Sequence, residues 1–443
     1  MSDEQPPSSY APFIALAIVL ALLVLTLVGV VVTALIVFAL AQATPTPAAT
    51  SIDTTRAAPL NRLAVIADDQ IYTIAPDGSQ RSALTHNGRV PIAAVIWSHD
   101  GQHLIFAETA GDSTRLASAR PDGQETRVLY EADRNLEPFF LYGSPDDQHV
   151  AFLTPDAAGG MQLHIADTDR PNSARLAVSG QPNYSSWSPD SQALLIHIGG
   201  VTPNAFVGTY DLKAATTQKI ETQPAAFQAP VWSPDGLRQW LYARQAASHG
   251  ELVIGAEQSS RTLAEFDDGI TFGWSPDGQY VAYALDTPNS FLYQDLTVIE
   301  LATSSSKLHL TGNVLAFFWS PDGKKLAYLT GALVEPSPVG RAAGLAAPAV
   351  QQRILEVTWH VIDLASGHTI DLSTFEPTES FIYLVQYFDQ FAQSVAVWSP
   401  DSRSLVYAGQ PLVGGRGVYV IEAQASAQAR FVGPGDFAIW SWH

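Results

Sequence analysis

From residue 62 onward, the chain repeats one short motif at nearly constant intervals. The motif reads W-S-P-D-G or a close variant of it, and a final copy reads W-S-W-H. Successive copies are separated by 46, 44, 45, 42, 45, 79 and 42 residues. Intervals of this size are typical of supersecondary units that stack on one another. The copies begin at Trp97, Gly143, Trp187, Trp232, Trp274, Trp319, Trp398 and Trp440.

The motif predicts a tight turn between two antiparallel strands. In Ser-Pro-Asp-Gly, serine suits the first position of a type I β-turn, proline supplies the fixed φ of the second, and glycine suits the fourth. A short apolar strand follows each copy, as in LIFA from Leu104 and LVYA from Leu405. A second strand and a weaker third strand follow before the next copy. Each repeat is therefore predicted to be a four-stranded meander whose first strand ends at the motif.

The two ends of the repeated region complete each other. The region begins at Leu63 with three strands that correspond to the second, third and fourth strands of a repeat. It ends with FAIWSW from Phe437, which corresponds to a first strand that no second strand follows. A final strand that pairs with the first repeat closes a ring and removes exposed sheet edges. The sequence therefore predicts an all-β fold, an eight-bladed β-propeller with four-stranded blades. Seven blades are the alternative.

These repeats resemble the TolB-type, WD-repeat-like β-propeller family, in which a W-S-P-D-G turn follows the innermost strand of each blade. The resemblance covers residues 62–443. Two copies depart from the pattern, since Gly143 replaces the tryptophan and His99 replaces the proline. The first departure predicts a weaker inner anchor in the third blade. The resemblance implies the fold, whereas the number of blades varies in the family and rests on the repeat count.

The amino-terminal segment predicts a membrane anchor. Residues 13–41 are apolar apart from two threonines, and no charged residue occurs between Glu4 and Asp53. A membrane-spanning helix needs about 20 apolar residues, so this run is long enough to cross a bilayer. A cleaved signal peptide is the alternative, because residues 39–41 (A-L-A) resemble a cleavage site. The apolar run exceeds the ~7–15 residues of a signal peptide and follows no Lys or Arg, which favours an uncleaved anchor.

The anchor divides the chain into four predicted parts, which are a tail at 1–12, the transmembrane helix at 13–41, a linker at 42–60 and the propeller at 61–443. The linker is rich in Pro, Thr and Ala, and such segments hold a domain away from a surface. We therefore expect a single-pass membrane protein whose propeller lies outside the cytoplasm. Two arginines after the span favour the opposite orientation, but large domains translocate largely regardless of charge.

Composition limits the possible partners. The chain has 43 acidic and 23 basic side chains, which gives a formal net charge of −20. Nucleic acids need a basic surface, so this charge argues against them as partners. The chain has no cysteine, which excludes disulfides and thiolate zinc sites. Part of the acidity has a structural origin, because nine aspartates lie in repeated turn motifs, where Asp is favoured.

The interval of 79 residues predicts two insertions in the seventh repeat, at 331–353 and 373–394. Because strands alternate in direction, both insertions are expected on the face of the propeller opposite the S-P-D turns. The second contains an apolar stripe with helical spacing. The stripe either packs on the propeller as a lid or forms a partner-binding patch, since exposed apolar patches often mark interfaces. Its residues are Phe381, Leu384, Val385, Phe388 and Phe391.

The sequence favours a non-catalytic, membrane-tethered binding or scaffold module for a protein or glycan partner at the cell envelope. No G-x-S-x-G nucleophile elbow and no H-E-x-x-H zinc helix occur in the sequence. No catalytic residue, cofactor or metal site is predicted. The alternative is a polysaccharide lyase or hydrolase with its active site at the central channel, because such sites assemble from residues far apart in the chain. The binding function rests largely on analogy of fold.

Overall fold

The computed structural model describes the chain from Asn61 to Trp442, apart from four short gaps and one longer gap. The predicted tail, the transmembrane segment 13–41 and the linker 42–60 lie outside the described residues. Among the residues that are described, no helix is long and apolar enough to cross a membrane. The described residues are 61–156, 159–226, 229–257, 259–286, 292–335 and 353–442.

Nearly all described elements are antiparallel β-strands, and five sheets contain four strands each. Strands pair with their neighbours in the chain, which is the meander that the repeats predict. The structure thus confirms an all-β fold of four-stranded antiparallel sheets, as in a β-propeller. Sheet 1 contains β1 (Leu63–Ala67), β2 (Gln70–Ile74) and β3 (Ser82–Ala83). Sheet 2 contains β4 (Val95–Trp97), β5 (Leu104–Ala110), β6 (Ser113–Ala119) and β7 (Arg127–Asp133).

Three more four-stranded sheets follow in the same order. A short 3-10 turn (Arg134–Leu136) precedes the first of them. Sheet 3 contains β8 (Phe139–Gly143), β9 (His149–Pro155), β10 (Met161–Asp167) and β11 (Arg175–Ser179). Sheet 4 contains β12 (Asn183–Trp187), β13 (Ala193–Ile198), β14 (Phe206–Asp211) and β15 (Thr216–Glu221). Sheet 5 contains β16 (Val231–Trp232), β17 (Trp240–Gln245), β18 (Gly250–Ala256) and β19 (Ser259–Phe266).

The repeats from Ile270 onward are joined into one ten-stranded sheet. Its strands are β20 (Ile270–Trp274), β21 (Tyr280–Asp286), β22 (Tyr293–Glu300), β23 (Ser305–Trp319), β24 (Lys325–Val334), β25 (Ile354–Asp363), β26 (Thr369–Pro377), β27 (Ser404–Pro411), β28 (Gly417–Glu422) and β29 (Arg430–Gly433). The first half of β23 pairs with β22 and its second half with β24, so one strand ends one repeat and opens the next. The last residues of β26 pair with β27 in the same way.

The last strand of the chain, β30 (Phe437–Trp440), completes sheet 1. It pairs antiparallel with β1, and Leu63 lies opposite Trp440. The N–H of Ser441 then donates to the carbonyl of Arg62 at 2.9 Å. The two ends of the repeated region are therefore held together in one sheet, as the incomplete first and last repeats predict.

The S-P-D turns have the hydrogen-bonded geometry that their residues predict. In the turn that begins at Ser275, the N–H of Gly278 donates to the Ser275 carbonyl at 2.9 Å, and the Ser275 hydroxyl donates to the Asp277 carboxylate at 2.6 Å. The fourth residue has a positive φ, +70° at Gly278, which glycine adopts without steric cost. The aspartates of these turns therefore serve the turns themselves.

Three turns have Asp or Ser in place of the fourth glycine, and each of these residues links its turn to the preceding one. The carboxylate of Asp147 accepts the N–H groups of His99 and Asp100. The hydroxyls of Ser191 and Ser402 each accept one N–H from the preceding turn at 3.1 Å. A positive φ is unfavourable for these residue types, and the hydrogen bonds offset that cost. We call this side of the sheets the turn face.

The first strands of successive sheets lie side by side, with β4 against β8, β8 against β12 and β12 against β16. Three motif tryptophans join neighbouring first strands through their indole N–H groups, namely Trp187, Trp274 and Trp398. Trp187 donates to the carbonyl of Tyr142 at 2.9 Å, and Trp398 donates to the carbonyl of Phe318 at 3.0 Å. The first strands therefore line the centre of the propeller.

The two departures from the motif lie next to each other. A β-carbon added at Gly143 would lie 3.6 Å from Ile96 and 3.8 Å from the ring of His99. The His99 ring in turn stacks on Trp442, with ring centroids 5.5 Å apart. His99 and Trp442 thus pack where the third repeat lacks its tryptophan.

The ends of the sheets opposite the turn face carry the loops that join second to third strands and each sheet to the next, and we call this side the loop face. Strands β24 and β25 have ten residues each and β26 has nine, which makes them longer than any strand of sheets 1 to 4. Their extra residues extend the sheet at the loop face, beside the second insertion. The segment 336–352, which connects β24 to β25, lies outside the described residues.

Candidate functional site

The second insertion forms a helix that begins at a buried cap. Helix α1 (Glu379–Gln386) follows Thr378, whose hydroxyl oxygen accepts the N–H of Phe381 at 3.2 Å. Threonine is a favourable N-cap, and the first-turn carboxylate of Glu379 complements the positive end of the helix dipole. The Thr378 hydroxyl also donates to the carbonyl of Asp436, so the start of α1 is bonded to the loop before β30.

A second, shorter helix, α2 (Phe388–Phe391), follows after Tyr387. We call residues 378–394 the plug. The side chains of all five residues of the predicted stripe are buried, as a lid would require. Because these side chains are buried, a partner can contact them only through a cavity that they line. Their role in partner binding therefore stays a prediction. The five residues are Phe381, Leu384, Val385, Phe388 and Phe391.

Phe388 lies at the centre of the aromatic packing of the plug. Its ring centroid is 5.0 Å from that of Phe317, 5.9 Å from that of Phe318 and 6.1 Å from that of Tyr293. All three pairs are close to edge-to-face, an arrangement that adds about 0.5–1.5 kcal/mol per pair beyond the burial of area. Side chains of β22 and β23 therefore hold α2 against the ten-stranded sheet.

The plug also contacts sheet 3. The ring centroid of Phe391 lies 4.9 Å from that of Phe140. The hydroxyl of Tyr142 donates to Oε1 of Gln390 at 2.9 Å, and both side chains are buried. Phe140 and Tyr142 belong to β8, one of the first strands that line the centre. An element that contacts both β8 and β23 must lie across the centre of the propeller.

One charged side chain, Asp389, lies within this packing. Its carboxylate accepts the N–H of Gln390 at 2.9 Å and the backbone N–H of Ala229, which precedes β16 of sheet 5. Burial raises the pKa of Asp389 to about 6, and the carboxylate of Asp286 acts in the same direction. The plug is thus bonded to sheets 3 and 5 and packed on the ten-stranded sheet. It covers the loop-face end of the centre.

A cavity of about 270 Å³ lies beside α1. Two residues of the predicted stripe, Phe381 and Val385, form part of its wall. Residues of β23 and β25 form the facing wall, so the cavity lies between the plug and the ten-stranded sheet. Its lining is completed by Leu315, Leu355, Val357, Pro377, Ile382, Gln386, Asp286 and Tyr293.

Three polar side chains, Asp286, Tyr293 and Gln386, line this otherwise apolar cavity. Asp286 lines the cavity and is also exposed to solvent, so it lies at the mouth. Partial burial, and then the charge of Asp268, raise the pKa of its carboxyl. Burial raises the pKa of Tyr293, so its hydroxyl stays protonated. The site can therefore surround an apolar group and offer a carboxylate to a donor at its edge. Among the described residues, no group of three or more His, Cys, Asp or Glu side chains is placed to hold a metal ion.

Sequence reasoning missed the polar residues of the plug and its surroundings. Asp389 interrupts the apolar stripe between Phe388 and Phe391, and a carboxylate in that position was a signal of a buried polar contact. Tyr142 gave no comparable signal, because its hydrogen-bond partner Gln390 lies 248 residues away in the chain.

Comparison with known proteins gives a partial similarity. No family model matches the chain. Over 231 residues it is 21% identical to the Tol-Pal system protein TolB of Francisella tularensis subsp. mediasiatica. Over 233 residues it is 22% identical to the TolB of F. tularensis subsp. holarctica. Each alignment covers 51% of this chain and 52% of the relative, so the chain spans about half the length of the curated relatives it matches.

Solved structures with a similar arrangement have lower identities. TolB from Acinetobacter baumannii is similar over 76% of this chain and 82% of its own, at 16% identity and a TM-score of 0.38. An oligogalacturonate lyase from Vibrio parahaemolyticus is similar over 78% of this chain and 86% of its own, at 12% identity and a TM-score of 0.45. The repeats, the meander sheets and the partial similarity to the curated TolB sequences together support a TolB-like β-propeller.

Proposed function

We propose that this chain is a membrane-tethered, non-catalytic β-propeller that binds a protein or glycan partner at the cell envelope. The observation that carries the proposal is the cavity between the plug and the ten-stranded sheet, because two residues of the predicted binding stripe line it. Most of a small binding cavity is usually apolar, with a few polar groups that fix orientation, and this cavity has that composition.

The number of blades is part of the proposal. Sheets 1 to 5 correspond to five blades, and the motif copies at Trp274, Trp319 and Trp398 divide the ten-stranded sheet into three more. Eight blades result. The long strands β23 and β26 connect the last three of these blades. This continuous pairing stiffens the sheet on which the plug rests.

The plug favours a binding function over chemistry in the central channel. A polysaccharide lyase or hydrolase, the alternative function, needs reacting groups that a long substrate can reach. The described plug fills the loop-face end of the centre with aromatic rings, among them Phe388 and Phe391. A polysaccharide would have to reach the centre from the turn face.

A pull-down from membranes with matched variants tests this function. Ile382→Glu places a charge in the cavity wall, whereas Leu237→Glu places one on the turn face, where Leu237 is exposed. We expect the intact chain and Leu237→Glu to retain the same partner and Ile382→Glu to lose it, with all three equally stable to heat. Equal capture by all three chains, or loss with Leu237→Glu alone, would contradict the proposal.

A further inference from the structure

We propose that the cavity beside α1 binds an apolar side chain of a basic protein segment, one in which lysine or arginine residues flank the apolar anchor. This inference rests on the proposed binding function and gives the chemical class of the partner. Three properties of the site carry it, namely its volume, its sparse hydrogen-bonding groups and the charge at its mouth.

The volume suits a protein side chain. At about 270 Å³, the cavity is larger than the ~150 Å³ apolar cavity that admits benzene. It lies below the ~300–1,000 Å³ typical of pockets for drug-sized ligands. One large aromatic or aliphatic side chain, or two small ones, would fill it. Burial of such an anchor removes its apolar surface from water, which favours binding.

The lining argues for a protein segment over a glycan. Seven of the ten lining residues are apolar, and the polar groups are confined to Asp286, Tyr293 and Gln386. A sugar ring carries a hydroxyl on most of its carbons, and the burial of each hydroxyl without a hydrogen-bond partner is unfavourable. An aliphatic or aromatic side chain carries no such cost.

The charge at the mouth of the cavity is negative. Asp286 lines the mouth, and the charge of Asp268 acts directly on it. Glu379 lies one helical turn before Ile382 on the same face of α1, because residues three apart are neighbours on a helix. None of the ten lining residues is basic. Negative charge at the mouth favours encounter with a basic segment and disfavours an acidic one. The net charge of −20 on the whole chain has the same effect.

An apolar strip extends the cavity along the sheet. Leu333 of β24 lies directly opposite Leu355 of β25, and residues paired in this way share one face of the sheet. Leu355 lines the cavity, whereas Leu333 is 55% exposed. A segment anchored in the cavity would therefore find further apolar surface beside it.

Residues 336–352 of the same chain are the alternative occupant that the experiment must separate. They connect β24 to β25, and their sequence includes Arg341 and Leu345. A variant that lacks residues 338–350 separates the two occupants. If the segment fills the cavity, its removal should strengthen the binding of an external peptide.

The experiment measures the binding of short fluorescent peptides to the full-length chain in detergent by anisotropy. One peptide carries a Leu-Phe anchor between Lys and Arg residues, a second carries the same anchor between Asp and Glu residues, and a third replaces the anchor with Ala. Val385→Trp fills the cavity, Asp286→Asn removes its carboxylate, and Leu237→Trp is the turn-face control. Thermal unfolding of each variant verifies the fold, and Ile382→Trp replaces Val385→Trp if that variant unfolds early.

We expect the basic peptide with the anchor to bind at least about tenfold more tightly than the other two peptides. Val385→Trp should abolish this binding, Asp286→Asn should weaken it severalfold, and Leu237→Trp should leave it unchanged. Equal binding of the acidic and basic peptides, or binding that survives a folded cavity-filling variant, would overturn the inference. So would tight binding that emerges only after residues 338–350 are removed.

The outcome is separable from that of the proposed function. If the membrane partner is lost with Ile382→Glu but no peptide shows a preference for basic flanks, the binding function stands and the partner chemistry is wrong. If the intact chain captures no partner that depends on the cavity, the proposed function itself fails.

Discussion

Replacement of Asp389 by asparagine changes the stability of the plug in a way that depends on pH. The pKa of Asp389 is raised from 3.8 to about 6 because its carboxylate is buried. The folded state therefore binds this proton more tightly than the unfolded state. The corresponding contribution to stability is fully present below pH 3.8 and is lost as the pH rises through about 6.

The magnitude follows from the two pKa values. The difference between 3.8 and about 6 corresponds to about 3 kcal/mol of unfolding free energy above both values. Asparagine keeps an acceptor oxygen for the N–H groups of Ala229 and Gln390 but carries no charge. Although the carboxylate is buried, the Asp389 residue as a whole keeps some exposure to solvent, which screens its charge. We therefore expect Asp389→Asn to gain about 2 kcal/mol over the parent near neutral pH.

Urea unfolding of the full-length chain in detergent, followed by tryptophan fluorescence, measures this difference between about pH 4 and pH 8. Many carboxylates contribute to the pH dependence of the parent, so the informative quantity is the variant minus the parent at each pH. Asp112→Asn, in the exposed turn between β5 and β6, removes the same charge and is the control. If the unfolding free energy of Asp389→Asn minus that of the parent stays constant, or falls as the pH rises, the burial of this carboxylate is refuted.

Further substitutions test the contacts of the plug and the turn face. Phe388→Ala should lower the unfolding free energy by about 3–5 kcal/mol, because it removes the ring at the centre of the aromatic packing. Replacement of the exposed Tyr387 by alanine should lower it by only about 1 kcal/mol. Urea titration of the two variants compares these losses. Tyr142→Phe should cost about 1–2 kcal/mol in the same assay, because it leaves buried Gln390 without its donor. Asp147→Gly relieves a positive φ but removes the acceptor of two N–H groups, so we expect a net loss of about 1 kcal/mol in unfolding free energy. A higher melting temperature for this variant would contradict the role of Asp147 in joining the turns.

The meander and its closure were predictable because they depend on local chemistry. The S-P-D-G turn fixes a hairpin through four adjacent residues, and the apolar strands follow it at a constant distance. The pairing of the last strand with the first repeat followed from counting strands at the two ends, and the structure shows its register, with Leu63 opposite Trp440. Each of these signals lies within a few residues or recurs in every repeat.

The position of the plug was not predictable in the same way. Helical spacing indicated an amphipathic element at Phe381 to Phe391, but spacing does not specify which surface that element covers. That surface includes Phe140 and Tyr142 of β8, which are far from the plug in the chain. Only the three-dimensional arrangement brings these residues together with Asp389 and forms the cavity beside α1.

The central claim is that the loop face around the plug, and not the turn face, binds the partner. Site-specific photo-crosslinking in intact cells tests it, with the crosslinker placed at Ile382 in the cavity wall or at the exposed Leu237 on the turn face. The account predicts a discrete crosslinked product from position 382 and none from position 237. A product from position 237 alone would contradict it.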